Sequence, residues 1–149
     1  MKKVSFSKLV SGMLAGKDST LPQMWRPTDQ PYPRLMDMDP VALGLAGQGG
    51  IYAVWHLGVR PQWLRVGAAA NLGAALSQLV QMPWIEAHRD NQGVFVAWCC
   101  PSHNQSAGFV RYLVETLAPA FQSAPFSGDQ ALDSSAPAIV CQLPPGTQI

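Results

Sequence analysis

Two short runs carry side chains able to do chemistry: Gly50-Ile51-Tyr52-Ala53-Val54-Trp55-His56 and Gln62-Trp63-Leu64-Arg65-Val66-Gly67. Alternate side chains of a strand share a face, so Tyr52, Val54 and His56 line one side, and Trp63 and Arg65 join them from the adjacent strand. A phenol, an imidazole, an indole and a guanidinium on one face can bind a peptide carboxylate, a phosphate or an aromatic side chain. The same residues also fit a closed cluster in which Arg65 stacks on Trp63 or pairs with an acid, with His56 hydrogen-bonded in the core. Both arrangements are open on the sequence.

A third run, Cys99-Cys100-Pro101-Ser102-His103, invites a metal or nucleophile reading. Zinc sites take ligand pairs at two-residue separation or wider, with a second pair elsewhere, whereas adjacent cysteines in a strand face opposite ways. A structural role is expected, with a Cys-His nucleophilic pair as the alternative. With Cys141 the chain has three cysteines, which make no disulfide framework, so the expected location is cytoplasmic. The opening MKKVSFSKLVSGMLAG has its apolar run broken by Lys8 and serines, unlike a secretory leader. No run approaches the ~18 apolar residues of a membrane span.

These side chains need elements to position them. Residues 50–57 read as a strand and 62–67 as a second, joined by the turn Gly58-Val59-Arg60-Pro61. Residues 71–81 read as a helix with Asn71 as its N-cap and Leu72, Leu76, Leu79 and Val80 on one side. The run 93–100, GVFVAWCC, reads as a buried strand ended by Pro101. Residues 104–118 read as a second long helix, capped by Asn104 or Ser102, with Phe109, Leu113, Val114 and Leu117 inward and Pro119 as its stop. The expected fold class is α+β: a small, mostly antiparallel three-stranded sheet flanked by helices.

Outside this body, the expected divisions are residues 1–49, an N-terminal helix (4–15) with a Pro-rich extended arm; 50–122, the domain; and 123–149, a mostly irregular tail with 138–143 as a short strand. Phe6, Leu9, Val10, Met13 and Leu14 set the helical spacing of 4–15. Pro22, Pro27, Pro31, Pro33 and Pro40 keep the arm extended. Trp25, Tyr32, Leu35 and Met36 give it apolar anchors for its own domain or for a neighbouring protein.

Length and charge narrow the function. The 149 residues suit one domain with a real core. Charged residues are 13% of the chain, about half the roughly 25% usual for soluble domains, so much of the surface is neutral and favours a protein partner. From Gly50 to Gln122 the basic residues are Arg60, Arg65, Arg89 and Arg111, against Glu86, Asp90 and Glu115, with no lysine. A groove tracking a phosphate backbone gathers more basic side chains than this.

Gly50-Ile51-Tyr52, then Arg65-Val66-Gly67, then Asn71-Leu72 and the segment VRYLVETLAPAFQ (110–122) together resemble the GIY-YIG nuclease family, over residues 50 to about 122. That family's domain opens on a Gly-Ile/Val-Tyr strand, continues through a Tyr-Ile/Val-Gly strand and an Asn/Asp-Leu-x-x-Arg-Leu helix, and ends on a Glu-bearing helix. The resemblance implies metal-assisted phosphodiester hydrolysis, in which tyrosines position water, an arginine steadies the phosphate and a glutamate holds a divalent ion.

Carried over residue by residue, Tyr52 remains, the second tyrosine is Arg65, the helix arginine falls on Ala75, the metal-binding glutamate on Val110 and the terminal asparagine on Gln122. Glu115 lies five residues past Val110, some 140° around a helix at about 100° per residue, so it points elsewhere. The expectation is therefore a catalytically degenerate domain that binds or assembles with protein, with Tyr52, His56, Trp63 and Arg65 as binding residues, homo-oligomers allowed and no cofactor. Two rivals stand beside it. One is a divergent nuclease rebuilt from Arg65, His56 and Glu115 with Mg²⁺ or Mn²⁺. The other is a nucleic-acid binder that does not cut, using Arg60, Arg65, Arg89 and Arg111.

Overall fold

The computed structural model describes residues 24–27, 32–56, 62–87, 93–123, 126–130, 132 and 135–144. The expected helix at 4–15 and the turn at 58–61 lie outside them. The elements run β1 (Gly50–His56), β2 (Gln62–Ala69), α1 (Leu72–Leu79), α2 (Pro83–Glu86), β3 (Val94–Cys99), a 3-10 turn (His103–Gln105) and α3 (Ser106–Leu117). The fold is α+β, with an antiparallel sheet of order β2-β1-β3.

The sheet is apolar on both faces, which is why its strands read as nearly continuous runs. On one face Tyr52, Val54, Val96 and Trp98 meet Leu72, Leu76 and Leu79 of α1 and Leu35 and Leu45 of the arm. On the other, Ile51, Ala53, Trp55 and Val66 meet Val110 and Leu113 of α3, Trp25 of the arm and Cys141 of the tail. Arm and tail thus complete both cores.

Neither sheet edge is bare. Along β3 the arm makes two isolated antiparallel bridges, Arg26 to Trp98 and Arg34 to Phe95. Leu35 N–H donates to the Val94 carbonyl (2.6 Å) and Val96 N–H to that of Pro33 (3.2 Å). Along β2, Ala120 N–H donates to the Trp63 carbonyl (3.0 Å), Phe121 N–H to Leu64 (2.9 Å) and Gln130 N–H to Ala68 (2.7 Å). An open edge recruits foreign strands, and these segments occupy both edges with the chain's own backbone.

Asn71 caps α1 as expected, accepting from Ala74 N–H at 3.1 Å. The Leu72 and Gly73 amides donate to the Gln48 and Leu45 carbonyls, so arm and helix start are welded together. α3 differs from expectation: residues 103–105 form a tight turn first, and the cap position is Gln105 with no side-chain cap bond, not Asn104 or Ser102. Residues 138–143 are irregular, not a strand. They press on α3 instead, where Ile139 N–H donates to the Gly108 carbonyl at 3.0 Å. A side chain at Gly108 would collide with Ile139, so glycine is required there.

Among the described residues no helix is long and apolar enough to cross a membrane.

Candidate functional site

A bulge in β2 decides which side chains meet. Val54 pairs with Arg65 but the next residue, Trp55, pairs with Trp63, leaving Leu64 as the extra residue. Such an insertion breaks the two-residue alternation. Arg65 therefore stays on the Tyr52 face, while Trp63 moves to the opposite face and packs on Trp55 with ring centroids 5.4 Å apart. The expected grouping of Tyr52, His56, Trp63 and Arg65 is corrected accordingly: Tyr52 and Arg65 meet, and Trp63 is beyond the sheet. His56 is buried two residues past Val54, its Nε2 3.5 Å from Gln62 Oε1.

Tyr52 and Arg65 converge on Asp129, an acid of the tail that the sequence did not single out. The Tyr52 hydroxyl donates to Asp129 Oδ1 at 2.6 Å. Arg65 Nη2 donates to Asp129 Oδ2 at 2.7 Å, and Nε to the same oxygen at 3.2 Å and to the Tyr52 hydroxyl at 3.3 Å. Its remaining nitrogen, Nη1, donates to the Phe121 carbonyl at 2.8 Å and the Gln122 carbonyl at 3.4 Å. The Trp84 and Phe126 rings flank the guanidinium at 5.9 and 5.6 Å. The two side chains of the ion pair are 7% and 16% exposed, and Tyr52 is fully buried.

Gly67, across from Tyr52 in the sheet, makes room for this cluster. A Cβ there would stand 2.7 Å from both the Tyr52 hydroxyl and an Asp129 oxygen, closer than packed atoms tolerate. Gln122, at the position matching the family's asparagine, extends the clasp. Its Oε1 accepts from Val66 N–H (3.0 Å) and its Nε2 donates to the Val66 carbonyl (2.6 Å), so a side-chain amide pairs with the edge of β2 as a neighbouring strand would.

The electrostatics fix these groups in resting states. Burial, then the charge of Asp129 and the hydrogen bond to it, push the Tyr52 pKa far above its ordinary value of about 10. The hydroxyl stays protonated. Burial pulls the Arg65 pKa down, but the hydrogen bond to Asp129 and the neighbouring Tyr52 and Asp129 more than offset it, and the net direction is up. Arg65 stays charged, with its donors committed inside the protein.

The positions aligned with the cutting residues do not form one groove. Ala75, on α1, is buried on the Tyr52 face, whereas Val110, on α3, is buried against the opposite face. Glu115 is exposed on α3 and pairs with Arg111 at 3.1 Å. It is absent from the Tyr52 cluster. Of the proposed arginine patch, Arg65 is buried, Arg111 is paired, and Arg60 and Arg89 lie outside the described residues. Among the described residues no three His, Cys, Asp or Glu side chains gather closely enough to share an ion.

Cys99 and Cys141 are buried and Cys100 exposed. Burial raises the pKa of all three thiols, that of Cys141 to about 11, which holds them protonated. A reactive cysteine needs the reverse.

Among the described residues an open concavity lies at the β3 edge, a pocket of about 240 Å³ between the arm (Pro27, Pro33), the turn after it (Met38, Ala42, Leu43) and Trp98, with Asp39 alongside.

No family model matches the chain, and neither does any curated protein or solved structure.

Proposed function

We propose that this chain is a catalytically degenerate GIY-YIG-like domain that acts as a non-enzymatic binding or assembly module, with another protein as its partner through the Pro-rich arm or the neutral surface. The observation that carries this is the fate of Tyr52 and Arg65. In a phosphodiesterase of that kind the tyrosine hydroxyls face the substrate and an arginine steadies its charge. Here Tyr52 and Arg65, the latter at the second tyrosine's position, are closed inside the fold and spent on Asp129, and the arginine's position is Ala75.

Asp129 does not replace the missing metal ligand. Both of its oxygens are occupied, and a Mg²⁺ ion, which demands near-ideal oxygen geometry, would have to displace a guanidinium 2.7 Å away. The sparse charge of the described surface supports a protein partner over nucleic acid, whose binding rests on Lys and Arg contacts to phosphates.

The test is incubation of the purified full chain with DNA and RNA in Mg²⁺ or Mn²⁺. No cleavage is expected. Metal-dependent cleavage that disappears in Tyr52→Phe would overturn the proposal. For the positive half, affinity for a purified protein partner is expected to change little between about 0.05 and 0.2 M salt, and a steep log-linear loss of nucleic-acid affinity over that range would assign nucleic-acid binding instead.

A further inference from the structure

Around the β3-edge pocket the surface carries both signs of charge without joining them. Asp39 lines the pocket, and Arg26, Arg34 and Asp37 adjoin the lining residues Pro27, Pro33 and Met38. All four are exposed, and among the described residues none of them makes an ion pair. Arg34 rests over the Phe95 ring at 5.9 Å. Asp39 Oδ1 accepts from the Val41 and Ala42 amides at 3.1 and 3.4 Å, which fixes the turn beside the pocket.

Inside that rim the wall is apolar. Its volume of about 240 Å³ falls below the roughly 300–1,000 Å³ of small-molecule sites and suits one or two apolar side chains. A projection stands on the same surface: Val41, two residues from Asp39, is 74% exposed, the most exposed large apolar residue among those described.

We propose that this face is a two-fold interface whose occupant is a second copy of this chain, with Val41 of each copy entering the other's pocket. Two observations select a second copy. The first is charge: a foreign partner with one sign of charge would meet repulsion from half of this rim, whereas a two-fold axis sets the arginines of one copy against the aspartates of the other. In such an interface each surface patch faces its own duplicate, so a patch of mixed sign is complementary to itself. The second is shape, because the projection and the hollow that accepts it lie on one turn of one chain. Apolar burial supplies the affinity, and the rim charges, exposed and individually weak, set the register and exclude wrong partners. The inference goes beyond the proposed function and does not rest on it, since a chain that cleaved nucleic acid would pair in the same way.

The experiment is sedimentation velocity of the full chain in reducing buffer, so that exposed Cys100 forms no cross-link. Expected is a monomer–dimer equilibrium with Kd of order 10 µM to 1 mM, the range of a weak interface. Val41→Asp is expected to raise Kd at least tenfold with an unchanged near-ultraviolet circular dichroism spectrum. Two further variants test the charge pattern. Arg26→Glu with Arg34→Glu makes the rim acidic throughout. Asp37→Arg with Asp39→Asn makes it basic, and the asparagine substitution keeps a side-chain carbonyl for the Val41 and Ala42 amides. Each variant alone is expected to dimerise at least tenfold more weakly than the wild type, and an equimolar mixture of the two is expected to regain a dimer. A wild-type chain that stays monomeric to about 1 mM would overturn the proposal. So would a dimer unaffected by Val41→Asp, which would lie on another face, or a mixture that associates no better than either variant alone.

Discussion

The two edges of the sheet are closed by different chemistry. At β2 the closing segment, residues 120–123 and 126–130, is held by a buried guanidinium, a carboxylate, a phenol and a side-chain amide with its partners at 2.6–3.4 Å. At β3 the arm is held by a few backbone hydrogen bonds and by burying Trp25 and Leu35. A charged clasp tolerates one arrangement, because each displaced partner leaves a buried charge or donor unmet. An apolar seam tolerates several, and it is at this seam that an open pocket remains. Of the residues that resemble a nuclease signature, Arg65 to Gly67 lie on the first edge with Tyr52 on the central strand beside them, and adaptable surface sits at the second.

Breaking the clasp is the sharpest probe of that difference. Asp129→Ala strands Arg65 in the interior and is expected to cost about 3–5 kcal/mol, whereas the double change Arg65→Met with Asp129→Leu should recover part of it, since it removes the uncompensated charge but also the acceptor of the Tyr52 hydroxyl and the donor to the Phe121 and Gln122 carbonyls. Denaturant unfolding of both variants reads this. Equal losses in the single and double variants would mean that the charge itself is not what the clasp needs.

At the other edge, Trp25→Ala is expected to cost about 3–5 kcal/mol through the cavity it leaves, but without a remedy of the ionic kind. It also removes the indole N–H donated to the Gln142 carbonyl at 2.8 Å, so hydrogen exchange should quicken in 24–27, 32–35 and 141–144 and leave 120–123 and 126–130 protected. Loss of protection in 120–123 and 126–130 as well would merge the two edges into one unit.

Gln122→Ala unpairs the Val66 N–H and carbonyl, for an expected loss of about 1–3 kcal/mol. Hydrogen exchange at Val66 should rise with little change at Val96 on the other edge.

The smallest effect at neutral pH belongs to titration. The folded pKa of Tyr52 lies above the unfolded value of about 10, so its contribution is complete below pH ~10 and is lost as pH climbs toward the folded pKa. Stability should fall above pH 10 by up to about 1.4 kcal/mol per unit from this group, and Tyr52→Phe should lack that slope. A Tyr52→Phe variant with the wild-type slope would place the titration elsewhere.

The strands were legible because their apolar runs are short, β-branched and aromatic, and α1 because Asn71 precedes a helical stripe. The meeting of Tyr52 and Arg65 followed from alternation alone. The position of Trp63 did not, because a one-residue bulge reverses side-chain parity without a mark in the sequence. Asp129 was missed because it lies in an irregular tail beyond the last helix, where no periodicity places it. The signal was an arginine in an otherwise buried strand, which must find an acid, and the tail supplies two, Asp129 and Asp133. Ala75 and Val110 were matched to one site through sequence order, yet the helices bearing them cover opposite faces of the sheet.

Anomalous diffraction from crystals soaked in Mn²⁺ decides whether Tyr52, Arg65 and Asp129 are a clasp rather than a reacting centre. The expected result is no anomalous peak beside Asp129, with the Tyr52 hydroxyl still donating to its carboxylate. A manganese ion within about 2.0–2.6 Å of an Asp129 oxygen, with Arg65 displaced, would contradict the claim and restore a metal-dependent nuclease.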